Sequence, residues 1–166
     1  MRKSDQRGYS LMEVMVVCGI IGVMVGIAIP SVLAWMPAAN LRDGAYDVRS
    51  TMIRARSAAV NKGLEFRVAF DLTANTYRME QGNLSSGSTA WTTIVGPDAL
   101  PTGIEYQSAS AAMEMAGSDP FVRFQTDGGV NANVDSLSLV LVNAHSDTYT
   151  VAVQRRTGHA SMTKGG

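Results

Sequence analysis

Arg7-Gly8-Tyr9-Ser10-Leu11-Met12-Glu13 leads into a run, Val14 to Leu41, that contains no Asp, Glu, Lys or Arg. The 21 residues from Tyr9 to Ile29 would cover about 30 Å as a helix, the thickness of a bilayer core. Glu13 is therefore a lone carboxylate at the edge of a membrane-length span. A charge at the centre of such a helix costs roughly 2.5–3.5 kcal/mol, and less near an end. An acid kept at that position needs a partner, and Glu13 is accordingly a candidate functional residue.

The flank before the run carries Arg2, Lys3 and Arg7 against Asp5. A basic flank ahead of an apolar run marks a targeting or membrane segment. A cleaved secretory signal would have a shorter core followed by small residues. Here Ala28-Ile29-Pro30-Ser31 places a proline in that position, so the run reads as a retained helix. Gly22 and Gly26, like Cys18 and Gly22, are four apart, a spacing that allows helices to approach closely in membranes. Pro30 removes a backbone hydrogen bond and is expected to kink the helix, and Pro37 repeats the interruption. The positive flank favours a cytoplasmic N-terminus and a translocated C-terminal domain, although Arg42 and Arg49 at the other end nearly balance it.

From residue 38 the pattern becomes amphipathic. Leu41, Ala45, Val48, Met52, Ala55 and Ala59 recur at steps of three or four, while most charges fall elsewhere on the wheel. Asn61-Lys62-Gly63 is a helix stop, with a cation in the last turn and a glycine after it. Beyond Gly63 the period changes to two. Leu64, Phe66, Val68 and Phe70 alternate with Glu65, Arg67 and Ala69, predicting a half-buried strand. Tyr77 and Met79 open a return strand. Further strands are expected at Trp91–Val95, Ile104–Gln107, Phe121–Gln125, Leu137–Val142 and Tyr149–Gln154. Turns are expected at Gly96-Pro97-Asp98, Asp119-Pro120, Asp127-Gly128-Gly129 and Thr157-Gly158, and a loop at Asn83–Thr89. The expected fold class is α+β: a long N-terminal helix, membrane-spanning then amphipathic, packed on a mainly antiparallel sheet. The expected divisions are 1–8, a basic leader; 9–37, the span; 38–63, the amphipathic helix; and 64–166, a β-rich domain.

Composition excludes several functions. Of 166 residues 46% are hydrophobic and the formal net charge is zero, which gives no general nucleic-acid-binding surface. The single cysteine, Cys18, forms neither an internal disulfide nor a thiolate metal cage and reads as a small apolar residue. His145 and His159 lie in polar, turn-like sequence and read as exposed. No nucleophile elbow, P-loop, dinucleotide fingerprint or zinc-protease motif is present. Asp127 and Asp135 lack the dense oxygen spacing of a calcium loop and read as turn formers. Asn83-Leu84-Ser85 matches a glycosylation sequon, a common chance pattern. The chain is thus read as a non-enzyme without metal or cofactor. Arg155, Arg156 and Lys164 form a basic group near the C-terminus that could contact phosphates; without interleaved aromatics it reads as a solvated strand end.

The junction Arg7–Glu13 resembles the prepilin-peptidase site of type IV pilins and pseudopilins. That resemblance implies cleavage after Gly8, a new N-terminus at Tyr9 open to N-methylation, and Glu13 as the acid that meets the amine of an adjacent subunit. Pro30 matches a frequent proline of the family, whereas Tyr9 replaces its usual phenylalanine. The remainder is similar to the H-type minor pseudopilin and FimT-like branch. The similar stretches are Leu41–Gly63 with Arg56-Ser57-Ala58-Ala59, Val122-Arg123-Phe124-Gln125-Thr126-Asp127-Gly128-Gly129, and Tyr149–Val153 followed by Thr157-Gly158. It implies a structural subunit of a type II secretion pseudopilus, held in the inner membrane with a periplasmic domain. The implied partners are other pseudopilins or minor pilins, prepilin peptidase, the inner-membrane assembly platform and membrane lipid. The alternative is a FimT/FimU-like minor pilin in pilus priming or DNA uptake. Gly158-His159-Ala160-Ser161 lacks the arginines expected of a DNA-binding tail.

Overall fold

The chain's long helix is α1 (Leu11–Lys62). In the computed structural model, residues 10–165 are described, without the side chains of 30–34, and α1 is unbroken through positions 30 and 37. Neither Pro30 nor Pro37 ends it. The chain divides into two compact units, residues 1–36 and 37–166.

In the first unit, Leu11–Ile29 has a mean hydropathy of 2.5, and none of the stretch is buried by the chain itself. It is long and apolar enough to cross a membrane. In the second unit, α1 is one-sided. Leu41, Ala45, Val48, Met52, Ala55 and Ala59 are all fully buried, the stripe expected from their spacing. Gly63 ends the helix in a left-handed conformation, φ +64°, and its N–H bonds back to the Ala59 carbonyl at 3.0 Å. A residue with a Cβ is strained there.

Among the described residues nine strands follow: β1 (Phe66–Asp71), β2 (Thr76–Gly82), β3 (Trp91–Ala99), β4 (Ile104–Ala109), β5 (Glu114–Ala116), β6 (Asp119–Phe124), β7 (Ser136–Asn143), β8 (Thr148–Gln154) and β9 (Ala160–Lys164). They form two sheets rather than one. The five-stranded sheet has the order β3-β2-β1-β6-β5 and the four-stranded sheet β4-β7-β8-β9. Every pairing is antiparallel. One apolar core joins the α1 stripe to Phe66, Val68, Phe70, Val122 and Phe124 of the first sheet and Leu137, Leu139, Leu141, Val151 and Val153 of the second. Polar contacts hold α1 to both: Arg49 Nε donates to the Ala160 carbonyl at 2.9 Å, and Lys62 Nζ to Gln81 Oε1 at 3.0 Å.

Three expectations change. First, Gly96-Pro97 and Asp119-Pro120 lie inside strands. Between the pairs Tyr77↔Asp98 and Met79↔Val95, β3 advances three residues while β2 advances two, so a bulge absorbs Gly96-Pro97. Pro120 pairs with Met115 of β5 but lies beyond the β1 pairing, which covers Phe121–Phe124. It is therefore not asked to donate towards β1. Second, β5 and β9 were not expected. Ala160-Ser161-Met162-Thr163-Lys164 is an edge strand whose ladder with β8 supplies the order that its side chains do not advertise. Third, Glu65 and Ala69 do not face water. They are 1% and 0% exposed, because the segment around Ser88 closes over Glu65 and an ionic layer covers the sheet face away from α1.

That layer consists of side chains that alternate with the core residues of β1, β2 and β6. Arg67 bonds Glu80, whose other oxygen takes Arg78 Nε at 2.9 Å, and Arg78 also reaches Asp119 at 2.9 Å. Arg123 bonds Glu114 at 2.6 Å. The Arg67 guanidinium lies 4.3 Å from the Trp91 ring centre and 4.8 Å from that of Phe121. A guanidinium between two aromatic faces satisfies its charge while its plane shields the apolar sheet below.

Candidate assembly site and neighbouring surfaces

Glu13 occupies the first turn of α1. Its own N–H and that of Val14 bond to the Ser10 carbonyl, at 3.0 and 3.2 Å. A carboxylate there is favoured by the positive end of the helix dipole. It is exposed and makes no ion pair among the described residues. Leu11, Met12, Val14 and Met15 around it are exposed too, so the acid is presented on a fully apolar rod. Gly8 and Tyr9, the expected cleavage and methylation positions, lie outside the described residues. Cys18 is exposed within the same stretch.

The basic residues near the C-terminus are not one group. Arg155 and Arg156 follow β8 and line an open depression of about 230 Å³ with Gln125, Asp127 and Asn131. Arg155 Nη1 is engaged by the Ala132 carbonyl at 3.3 Å. Lys164 pairs with Tyr149 at the other end of β8, about 20 Å from Arg155 by the rise of a strand. His145 and His159 are exposed in turns. Asp127 Oδ1 accepts the Gly129 N–H at 2.8 Å, a turn contact, and the Asp135 carbonyl accepts from Arg155 N at 2.9 Å. Among the described residues no group of three His, Cys, Asp or Glu could hold a metal ion.

The stretches that carry the resemblance meet at one place. Arg56 Nε on α1 donates to the Gly128 carbonyl at 3.1 Å. A Cβ added to Gly158 would lie 2.1 Å from that same carbonyl and 2.9 Å from Arg56 Cδ. Val130 N bonds the Arg155 carbonyl at 2.7 Å. Arg56, Asp127-Gly128-Gly129 and Thr157-Gly158 thus clasp the helix, the crossing between sheets and the β8–β9 turn. Their glycines allow that close packing. Sequence reading named these segments but not the contact, because nothing local in them indicates that they converge.

The apolar helix and the packed two-sheet unit define a type IV pilin-like fold. Residues 3–29 match the prokaryotic N-terminal methylation motif family. No curated protein matches the chain in sequence. Among solved structures it is similar to the minor pseudopilin EpsH of the Vibrio cholerae type 2 secretion system, with a TM-score of 0.57 at 15% identity over 76% of this chain and 98% of that one. A second EpsH structure gives 0.56 at 14%, over 77% and 96%. The type IV minor pilin FimU of Pseudomonas aeruginosa gives 0.55 at 12%, over 80% and 92%. The chain therefore has the fold of a minor pseudopilin and carries the N-terminal methylation motif ahead of it.

Proposed function

We propose that this chain is a minor pseudopilin, a non-enzymatic subunit of a type II secretion pseudopilus. The observation that carries the reading is the methylation motif on an unburied apolar helix, Leu11–Ile29, that leads into an EpsH-like fold. The chain is anchored in the inner membrane with residues 37–166 in the periplasm. Prepilin peptidase cuts after Gly8 and methylates Tyr9. The new amine of one subunit pairs with Glu13 of its neighbour. In low dielectric that attraction is several times its strength in water, whereas an unpaired Glu13 stays costly. Pro30 supplies a local bend in α1.

Mass spectrometry of the membrane-extracted protein tests the processing step. Tyr9 is expected as the first residue; an intact Met1 in cells with active prepilin peptidase would refute it. Glu13→Ala is expected to insert normally but fail to enter the filament. A second reading, a minor pilin of a type IV pilus, is favoured by the likeness to FimU. Deletion separates the two: loss of secretion with normal piliation supports the first, and the reverse supports the second. Under the second reading, DNA uptake would use Arg155 and Arg156. Asp127 on the same depression opposes an anionic ligand, and salt-sensitive DNA binding lost in Arg155→Ala/Arg156→Ala is the check.

A further inference from the structure

The segment Asn83–Ala90, between β2 and β3, is Asn-Leu-Ser-Ser-Gly-Ser-Thr-Ala. Every residue in it except Ser88 is exposed, so it has almost no apolar hold on the fold. It is kept down through Glu65, whose backbone N–H donates to the Leu84 carbonyl and whose carboxylate binds the Ser88 end. The Ser88 N–H donates to Glu65 Oε2 at 2.7 Å, and Glu65 is 1% exposed. The rest is local: Ser88 Oγ donates to the Leu84 carbonyl at 3.0 Å, and Asn83 Oδ1 accepts the N–H groups of Thr89 and Ala90 at 3.1 and 3.2 Å. The backbone of Glu65 exchanges bonds with Leu84 and Gly82, at 2.9 and 2.8 Å, at the foot of the loop.

Beneath the loop, Arg123 Nη1 lies 4.0 Å from the Glu65 carboxylate, while Arg123 Nε is buried without a partner among the described residues. Of the other charges of this layer, Arg67 on β1, Arg78 and Glu80 on β2 and Asp119 on β6 are engaged with one another, while Glu114 on β5 holds Arg123 itself at 2.6 Å. Lys62, at the end of α1, is turned to Gln81 and the Phe66 ring. No histidine lies among these groups. Glu65 is thus the titratable group that bonds the loop.

We propose that Asn83–Ala90 is an acid-released strap, held shut by the Glu65 carboxylate and opened when that carboxylate takes a proton. Protonation removes the charge that strengthens the Ser88 bond, and charge-assisted bonds are roughly twice as strong as neutral ones. It also ends the attraction of the carboxylate for Arg123, 4.0 Å away. Opening uncovers the Glu65–Arg123 pair at the end of the sheet and frees Trp91, the residue after the strap, from its stack on Arg67. The helix-facing core contains none of these groups and stays folded.

Trp91 is the reporter, read in the full chain in detergent with Trp35→Phe so that one tryptophan remains. On acid titration, Trp91 emission is expected to change at a pH about one unit or more above the loss of far-ultraviolet circular dichroism. Glu65→Gln keeps an acceptor for Ser88 but does not titrate, so this early step should vanish. Ser88→Pro removes the donor and should give the acid-form emission already at neutral pH. Coincident emission and dichroism transitions, an early step that persists in Glu65→Gln, or neutral Ser88→Pro emission like that of the parent would each overturn the proposal.

Discussion

The two halves of α1 share a backbone and differ in what their side chains touch. Leu11–Ile29 has nothing buried by its own chain, while six residues between Leu41 and Ala59 are completely buried. Apart from Glu13 the first half is apolar on all sides, so no direction is distinguished, the composition of a helix able to cross a membrane. The second half has one apolar stripe, which fixes its rotation about the helix axis against two sheets. The difference teaches that hydrophobicity without direction makes an anchor, and hydrophobicity with a period makes a core. Mutations in the two halves should therefore fail in different assays.

The largest expected contrast is between two methionines. Met52→Ala should lower domain stability by about 2–5 kcal/mol, because it leaves a cavity in a packed core. Met24→Ala, 67% exposed in the parent, should leave it within about 0.5 kcal/mol. Chemical denaturation in detergent reads both; equal effects would break the comparison. Arginine substitutions reverse it. Val17→Arg should disfavour membrane insertion by about 2.5–3.5 kcal/mol, seen as release of the chain on carbonate extraction. Ile53→Arg, on the exposed flank of the second half, should leave both insertion and stability nearly unchanged.

A smaller effect concerns the clasp. Arg56→Ala removes the donor to the buried Gly128 carbonyl and should cost about 1 kcal/mol. Its signature is faster amide exchange at Val130 and Gly158, with the β1–β2 pairing unaffected; uniform change would mean the clasp is not a local device. The smallest is a pH effect at Glu65. Burial alone would raise its pKa, but hydrogen bonds from Ser88 and Gly87 and the charge of Arg123 outweigh it, so the folded pKa lies below the ordinary 4.5. The contribution is then fully present above 4.5 and disappears as pH falls through the lower folded value. Stability measured from pH 6 downward should fall less steeply in Glu65→Gln than in the parent.

Much of this architecture is written locally. The stripe from Leu41 to Ala59 and the stop at Lys62-Gly63 follow from spacing and one left-handed position. The strands with clear alternation, Phe66–Phe70 and Leu137–Leu141, are found where their period places them. The departures occur where a neighbouring strand overrides local chemistry. Gly96-Pro97 reads as a turn because the sequence does not reveal the bulge that accommodates it. Ala160–Lys164 has no pattern because its order comes from the β8 ladder. Glu65 reads as a surface acid because its covering segment begins eighteen residues later, at Asn83.

By itself, the sequence determined the anchor, the isolated Glu13, the helix with its buried stripe, and the α+β class. These depend on composition and period, which act within a few residues of the chain. Only the tertiary structure decided that the strands form two sheets, that Arg67, Glu80 and Arg123 build an ionic layer, and that Lys164 stands apart from Arg155. It also decided that Arg56, Gly128 and Gly158 meet. Those outcomes depend on which distant segments come within a few ångströms, and short-range electrostatics, hydrogen bonding and packing act only after the chain has brought them together.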